Sequence, residues 1–302
     1  MTPVLAFDIE TIPDVAGIRK LHALPAELSD AETAEFAFQK RRAAGGSDFL
    51  PLHLQRVVVI SCALREGDRF TVWSLAEPKL SEAALIQRFY DGIEKFTPQL
   101  VSWNGGGFDL PVLHYRGLIH GVVAPRYWEQ GEGDYKDSRD FKWNNYLGRY
   151  HSRHLDLMDL LALYQPRANA PLDELAKLMG LPGKLGMDGS AVWGAWQEGR
   201  SDEIRDYCET DAVNTYLVFL HFQRLRGLLD EHAFAAETAL VRRTLEGLNL
   251  AHWQAFLDAW EKEAPSPRPL PGEGGDGGSP LRGSESLTAP SLGRPGGRRS
   301  KE

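Results

Sequence analysis

Short apolar runs alternate with longer amphipathic stretches along this chain, as strands interleaved with helices would. Val4 to Ile9 is a compact apolar run and predicts a strand buried in a sheet. Arg56 to Leu64 is the clearest strand in the sequence. Arg69 to Leu75 follows it across a Glu66-Gly67-Asp68 turn, so the two predict a hairpin. Leu80 to Phe96 has the spacing of an amphipathic helix begun by Ser81. Gln99 to Trp103 reads as another buried strand. Pro111 to His120 reads as a helix with proline at an early position, where its missing N–H is tolerated. His154 to Tyr164 predicts a strand end passing into a helix, Pro171 to Met179 a short helix, and Ser201 to about Leu229 a long one. A last amphipathic helix is expected over roughly Glu231 to Lys262, packed on the back of the domain or capping it.

Three stretches carry weaker patterns. An insertion runs from Pro13 to about Gln55; only its middle, Asp30 to Arg42, has helical composition, capped by Ser29 or Asp30. Gly121 to Tyr150 is irregular and rich in aromatic and charged residues, and Leu181 to Gly189 is a glycine-rich loop. The mix of strand and helix patterns selects α/β over all-α or all-β. It divides the chain into a domain over 1–228, a helical extension over 229–263 packed on it, and a tail over 264–302. That tail is rich in Pro, Gly and Ser and lacks both periodicity and aromatic residues, so it is expected to be disordered. Its basic end, Arg294 to Lys301, reads as a dispensable tail rather than a nucleic-acid tether.

The net charge of −8 makes the protein a poor candidate for tight nonspecific binding to duplex DNA, which rests on phosphate neutralisation. It does not exclude a nuclease, because bound cations reverse the local field at a site. Cys62 and Cys208 form neither a metal-ligand spacing nor a disulfide framework and read as small buried residues in a reduced compartment. Met1-Thr2-Pro3-Val4 leads straight into a strand without a leader pattern, and no window approaches the roughly 20 apolar residues of a membrane span. A soluble cytoplasmic protein is expected.

Three acidic segments change the picture. They are Phe7-Asp8-Ile9-Glu10-Thr11, Asn104-Gly105-Gly106-Gly107-Phe108-Asp109 and Tyr207-Cys208-Glu209-Thr210-Asp211. On a strand, Asp8 and Glu10 share a face. On a helix, Tyr207 and Asp211 share one, and Glu209 falls off it and is expected to be solvated. Asp109 sits where a glycine-rich turn enters a helix, a place that also suits an N-cap. Two acids inside an apolar strand are unfavourable unless paired or metal-bound. Four carboxylates and a phenol on one point suit hard divalent cations and an activated water.

These segments resemble the three exonuclease motifs of the DEDD 3′-5′ exonuclease superfamily, in the version whose last motif is Tyr-x-x-x-Asp. The likeness runs from about Thr2 to about Phe222 and is strongest to stand-alone bacterial proteins related to the proofreading domain of family-B DNA polymerases. It implies a ribonuclease H-like mixed β-sheet flanked by helices. It also implies two divalent cations, Mg²⁺ or Mn²⁺, held by Asp8, Glu10, Asp109 and Asp211. In that scheme Asp8 bridges both ions, Glu10 and Asp211 complete the tighter site, and Asp109 serves the looser one, largely through water. Tyr207 orients the attacking water or takes its proton. The expected partner is a single-stranded nucleic-acid 3′ end, DNA favoured over RNA, with nucleoside 5′-monophosphates as products. The alternatives are an exoribonuclease and a catalytically silent nucleic-acid-binding module. No polymerase palm is suggested, so any proofreading would be in trans.

Secondary candidates lie on the substrate side. Thr11 and Asn104 are placed near the terminal nucleotides, and Phe108 either stacks on a base or belongs to the core. The glycines of the second motif would let a substrate strand approach the backbone. Asp156, in His154-Leu155-Asp156-Leu157-Met158-Asp159, is a substrate-side group or an N-cap; Lys184 contacts a phosphate or lies in a flexible loop. Trp128, Trp143, Tyr146 and Tyr150, interleaved with Arg126, Lys136, Arg139, Lys142 and Arg149, have the composition of a stacking and phosphate-contacting surface, though such a stretch is more often ordinary packing.

Overall fold

The apolar run near the N-terminus becomes the central strand of a sheet, because both of its faces are covered. A computed structural model describes residues 2–263, so the tail over 264–302 lies outside the described residues. Among the described residues the strands are β1 (Val4–Pro13), β2 (Gln55–Glu66), β3 (Arg69–Ala76), β4 (Gln99–Ser102) and β5 (His154–Asp156). They form one sheet in the order β3-β2-β1-β4-β5. β1, β2 and β3 pair antiparallel, and β4 and β5 lie parallel to β1 on its other side. This mixed five-strand order, flanked by helices, is a ribonuclease H-like α/β fold.

The helices are α1 (Val15–His22), α2 (Asp30–Gly45), α3 (Glu82–Phe96), α4 (Asp109–His120), α5 (Ser138–Phe141), α6 (Leu157–Leu161), α7 (Leu172–Leu178), α8 (Val192–Gln197), α9 (Ser201–Leu225), α10 (Glu231–Leu248) and α11 (Ala251–Glu263). Side chains of β1 alternate between two layers. Leu5, Phe7 and Ile9 pack with Leu85, Phe89 and Ile93 of α3 and Leu113 of α4. Ala6 faces the other way, onto Val213 and Leu217 of α9, in a core that also holds Val241 of α10 and Trp253 of α11. No helix among the described residues is long and apolar enough to cross a membrane.

Three differences from the sequence reading have physical causes. β1 does not stop at Ile9: past a bulge between Glu10 and Thr11 it keeps pairing with β2 to Pro13. The insertion holds two helices rather than one, and Ile18 of α1 packs with Ala37 of α2, Leu50 and Leu54. The expected single helix over 231–262 is broken. Asn249 takes a left-handed conformation (φ 50°) and ends α10, and α11 starts two residues later.

Candidate active site

β4 is short and pairs with β1 only from Val4 to Ala6, so β1 projects beyond it. The free backbone of that projection is the anchor of the site. Asp109, the first residue of α4, accepts a hydrogen bond from the Ile9 N–H at 3.2 Å and so ties the second motif to the first. Asp8 and Glu10 lie on the α9 side of β1. There the buried Cys208 thiol donates to the Asp8 carbonyl at 3.4 Å and lies 3.6 Å from its carboxylate. Cys208 is pushed up by burial and by the negative charges of Asp8 and Glu10, so it stays a thiol and packs as the small residue the sequence suggests.

The turn carrying the second motif is held from behind by Asp156. Its carboxylate accepts from the N–H of Asn104 (2.9 Å) and of Gly106 (2.8 Å) while it also caps α6 through Asp159 N. Asp156 thus sits under the turn, away from the cleft, in the capping position that was one of its two readings. His154, on the same face of β5, bonds Ser102 at 2.7 Å. The glycines are explained differently from the sequence reading. A Cβ on Gly105 would fall on the Ser102 side chain, and one on Gly107 would fall on the Asn104 side chain. They make room for the turn's own side chains. Asn104 is left-handed (φ 66°), and its carbonyl accepts from Gly107 and Phe108.

α9 lies across the sheet with residues 207–220 all buried, and Tyr207 and Asp211 face the acids of β1. Glu209 is not solvated as expected. It is buried, accepts from Ser74 Oγ at 2.7 Å and bonds His252 of α11 at 3.0 Å, because α9 is covered on that face too. Lys184 is neither a free loop residue nor a group pointed outward. Asp173 accepts its N–H, Asn214 holds the preceding carbonyl, and its ammonium reaches the Tyr207 hydroxyl and, at 3.4 Å, Asp211.

The electrostatics are those of crowded like charges. Burial first, then Asp109, Glu10 and Asp211, drive the Asp8 carboxyl well above its ordinary range. Burial and Asp211 do the same to Glu10, and burial lifts Asp109 to about 7. Burial also lifts Asp211, against the opposing pull of Lys184. Burial, then Asp211, Glu10 and Asp8, keep the Tyr207 phenol protonated. Burial disfavours the Lys184 charge, but Asp211, Asp8 and Glu10 outweigh it. One ammonium is thus set against four carboxylates. Asp211 Oδ1 is buried with no hydrogen-bond partner among the described residues. An orphaned buried carboxylate oxygen beside three more acids fits a hard divalent cation.

These groups open onto a cleft of about 650 Å³. Thr11 lines it, with its hydroxyl donating to Gln55 at 3.0 Å, as do Asn104, Phe108 and Lys184. Sequence reasoning missed Trp103, Trp193 and the contribution of the insertion, which brings Phe38 and Phe49 to the rim. Phe49 lies 5.7 Å from the Phe108 ring, centroid to centroid. Trp103 adjoins the second motif, so adjacency was a usable signal; Phe49 sits in an aperiodic stretch that offers none. Of the aromatic and basic segment over 126–150, Tyr146 and Arg126 are buried in packing. Tyr146 stacks on Tyr127 at 5.5 Å and Arg126 lies over Phe141 at 4.1 Å.

A family model described as a predicted 3′-5′ exonuclease related to the exonuclease domain of PolB matches residues 47–260. The matched span holds the second and third motifs; the first lies before it, on the strand that pairs with both β2 and β4. The chain is also 25% identical over 222 residues to a DNA polymerase of Pyrococcus glycovorans, across 70% of this chain and 28% of that polymerase. It therefore spans little more than a quarter of that relative's length. With the second and third motifs inside the match and the first bound to them through Asp109 and Cys208, the chain belongs to the family of exonucleases related to the exonuclease domain of PolB.

Proposed function

We propose that the protein is a metal-dependent 3′-5′ exonuclease that hydrolyses single-stranded nucleic-acid 3′ ends, DNA favoured, to nucleoside 5′-monophosphates. The observation that carries this reading is the meeting of Asp8, Glu10, Asp109 and Asp211 with Tyr207 and Lys184 on one open cleft. Asp8, Glu10, Asp109 and Asp211 are the oxygen donors for two Mg²⁺ or Mn²⁺ ions. When bound, such ions lower the pKa of a water and neutralise charge developing on the phosphate and the leaving 3′-oxygen. Tyr207, whose phenol is pushed up by burial and by the neighbouring carboxylates, orients the attacking water or takes its proton once the ions have lowered that water's pKa. Lys184 holds the Tyr207 hydroxyl in place and supplies a positive charge near the phosphate. DNA is favoured because the polymerase that the chain resembles is named for DNA.

The experiment is degradation of matched 5′-labelled single-stranded DNA and RNA, with Mg²⁺ or Mn²⁺ and with EDTA, using Asp8→Ala as control. A ladder shortening from the 3′ end, metal-dependent and lost in the variant, is the expected result, stronger on DNA. A stronger ladder on RNA reverses the sugar preference. Binding of both strands without cleavage removes the enzyme reading.

Tyr207→Phe should lower kcat about 10- to 100-fold, equivalent to about 1.4–2.7 kcal/mol of barrier, with KM little changed. Unchanged kcat would take Tyr207 out of the reaction. A raised KM alone would make it a binding residue.

A further inference from the structure

Three hollows join along the turn between β4 and α4. The catalytic cleft and a larger groove of about 980 Å³ share Asn104 and Gly107 as walls. A third hollow, about 590 Å³, touches Asp8, Lys184 and Asp211 at one end and meets the groove at Asn104, Met158 and Asn169. The three hollows thus lie next to one another along this turn, with the carboxylates on one side and the groove on the other.

The far part of the groove has its own chemistry. Tyr150 is 76% exposed, an unusual state for a large ring, and sits edge-on to Tyr164 with centroids 4.8 Å apart. The Arg149 guanidinium lies 4.9 Å over the Tyr164 ring, and exposed Arg226 lines the same groove. Two acids also line it, but both are engaged. Asp156 is taken up by backbone N–H groups, and Asp159 by a bidentate pair with Arg149 at 2.7–2.8 Å. Arg149 and Asp159 offset each other's charge, and Arg226 is the lining cation without an ion pair among the described residues. Leu163 and Tyr164 are consecutive left-handed residues (φ 51° and 61°). They close the end of α6, where the Tyr164 N–H donates to the Asp159 carbonyl at 2.8 Å, and this turn places the Tyr164 ring at the groove.

We propose that this groove carries the single strand 5′-ward of the nucleotides in the catalytic cleft, with bases stacking on Tyr150 and Tyr164 and phosphates passing Arg226. Stacking faces interleaved with cations suit a strand bound without sequence preference. The proposal rests on the exonuclease reading and adds to it a length dependence that the catalytic cleft alone would not give.

The test is fluorescence anisotropy of the full-length protein in EDTA with 5′-labelled oligothymidylates of 3 and 12 nucleotides. Tyr150→Ala removes an exposed ring, and Tyr164→Gly removes the other while suiting its positive φ. The 12-mer should bind the wild type more tightly than the 3-mer. Each variant should weaken 12-mer binding about tenfold and 3-mer binding less than about twofold. Equal binding of both lengths by the wild type, an unchanged 12-mer affinity in both variants, or an equal loss at both lengths would each overturn the proposal. Wild-type hydrolysis of the p-nitrophenyl ester of thymidine 5′-monophosphate, with Mn²⁺, checks the exonuclease reading separately, because that substrate is too small to reach the groove.

Discussion

Asp8→Asn is expected to lower hydrolysis of single-stranded 3′ ends by at least about 10³-fold, while making the metal-free protein more resistant to heat. The two effects have one cause. Asp8 is raised by burial and by Asp109, Glu10 and Asp211, so in the absence of cations its charge is opposed by its surroundings. Asparagine keeps the volume and removes that charge, together with a ligand. A carboxyl whose folded pKa is raised contributes stability that is fully present below its unfolded value, near pH 4, and lost as pH rises through the folded value. For Asp109 that loss extends to about pH 7. In EDTA the wild type should therefore melt several degrees lower at pH 8 than at pH 5.5, and Asp8→Asn should flatten the difference. Added Mn²⁺ should raise the wild-type melting temperature at pH 8 and raise that of Asp8→Asn less. A variant that melts below the wild type in EDTA at pH 8 would show that Asp8 is not held under repulsion.

The sequence made the elements of this site legible and left their surroundings dark. Alternation put Asp8 and Glu10 on one face of a strand, and four-residue spacing put Tyr207 with Asp211, because those relations are internal to a single element. Glu209 shows where this stops. Spacing placed it off the face that Tyr207 and Asp211 share, but only the packing of β3 and α11 on α9 decides that the other face is buried. Lys184 is a similar case: a glycine-rich loop has no periodicity, and Asp173 and Asn214, 11 and 30 residues away in sequence, aim its ammonium at the acids. Asp156 was ambiguous because a strand end that becomes a helix cap satisfies both patterns at once. The contribution of the insertion to the cleft had no signal, since Phe49 belongs to no periodic segment.

Arg116→Ala should destabilise the fold by about 3–5 kcal/mol, with a fall in melting temperature on the order of 10 °C. Arg116 and Glu82 are 3% and 5% exposed and form a two-pronged pair at 2.6–2.7 Å. The same guanidinium bonds Asp14, the cap of α1, and Glu82 also receives His120 and the N–H of Val57. Removing the arginine strands a buried carboxylate that His120 and one amide only partly satisfy. Replacing both partners by apolar groups of like volume, Arg116→Met with Glu82→Leu, should recover most of the loss, because a buried pair is often little better than good packing. The recovery should fall short by about 1–3 kcal/mol, since Val57 N–H loses its acceptor. Urea unfolding of the two variants decides the matter. A cost below about 1 kcal/mol for Arg116→Ala would mean that the pair is relaxed by solvent and carries little. The network also joins β2, α3 and α4 to the start of the insertion, whose far end sets Phe49 against Phe108. Loosening it should therefore weaken capture of strand ends even where the carboxylates of β1 and α9 stay in place. A folded Arg116→Ala protein is expected to show a raised KM with kcat nearly kept.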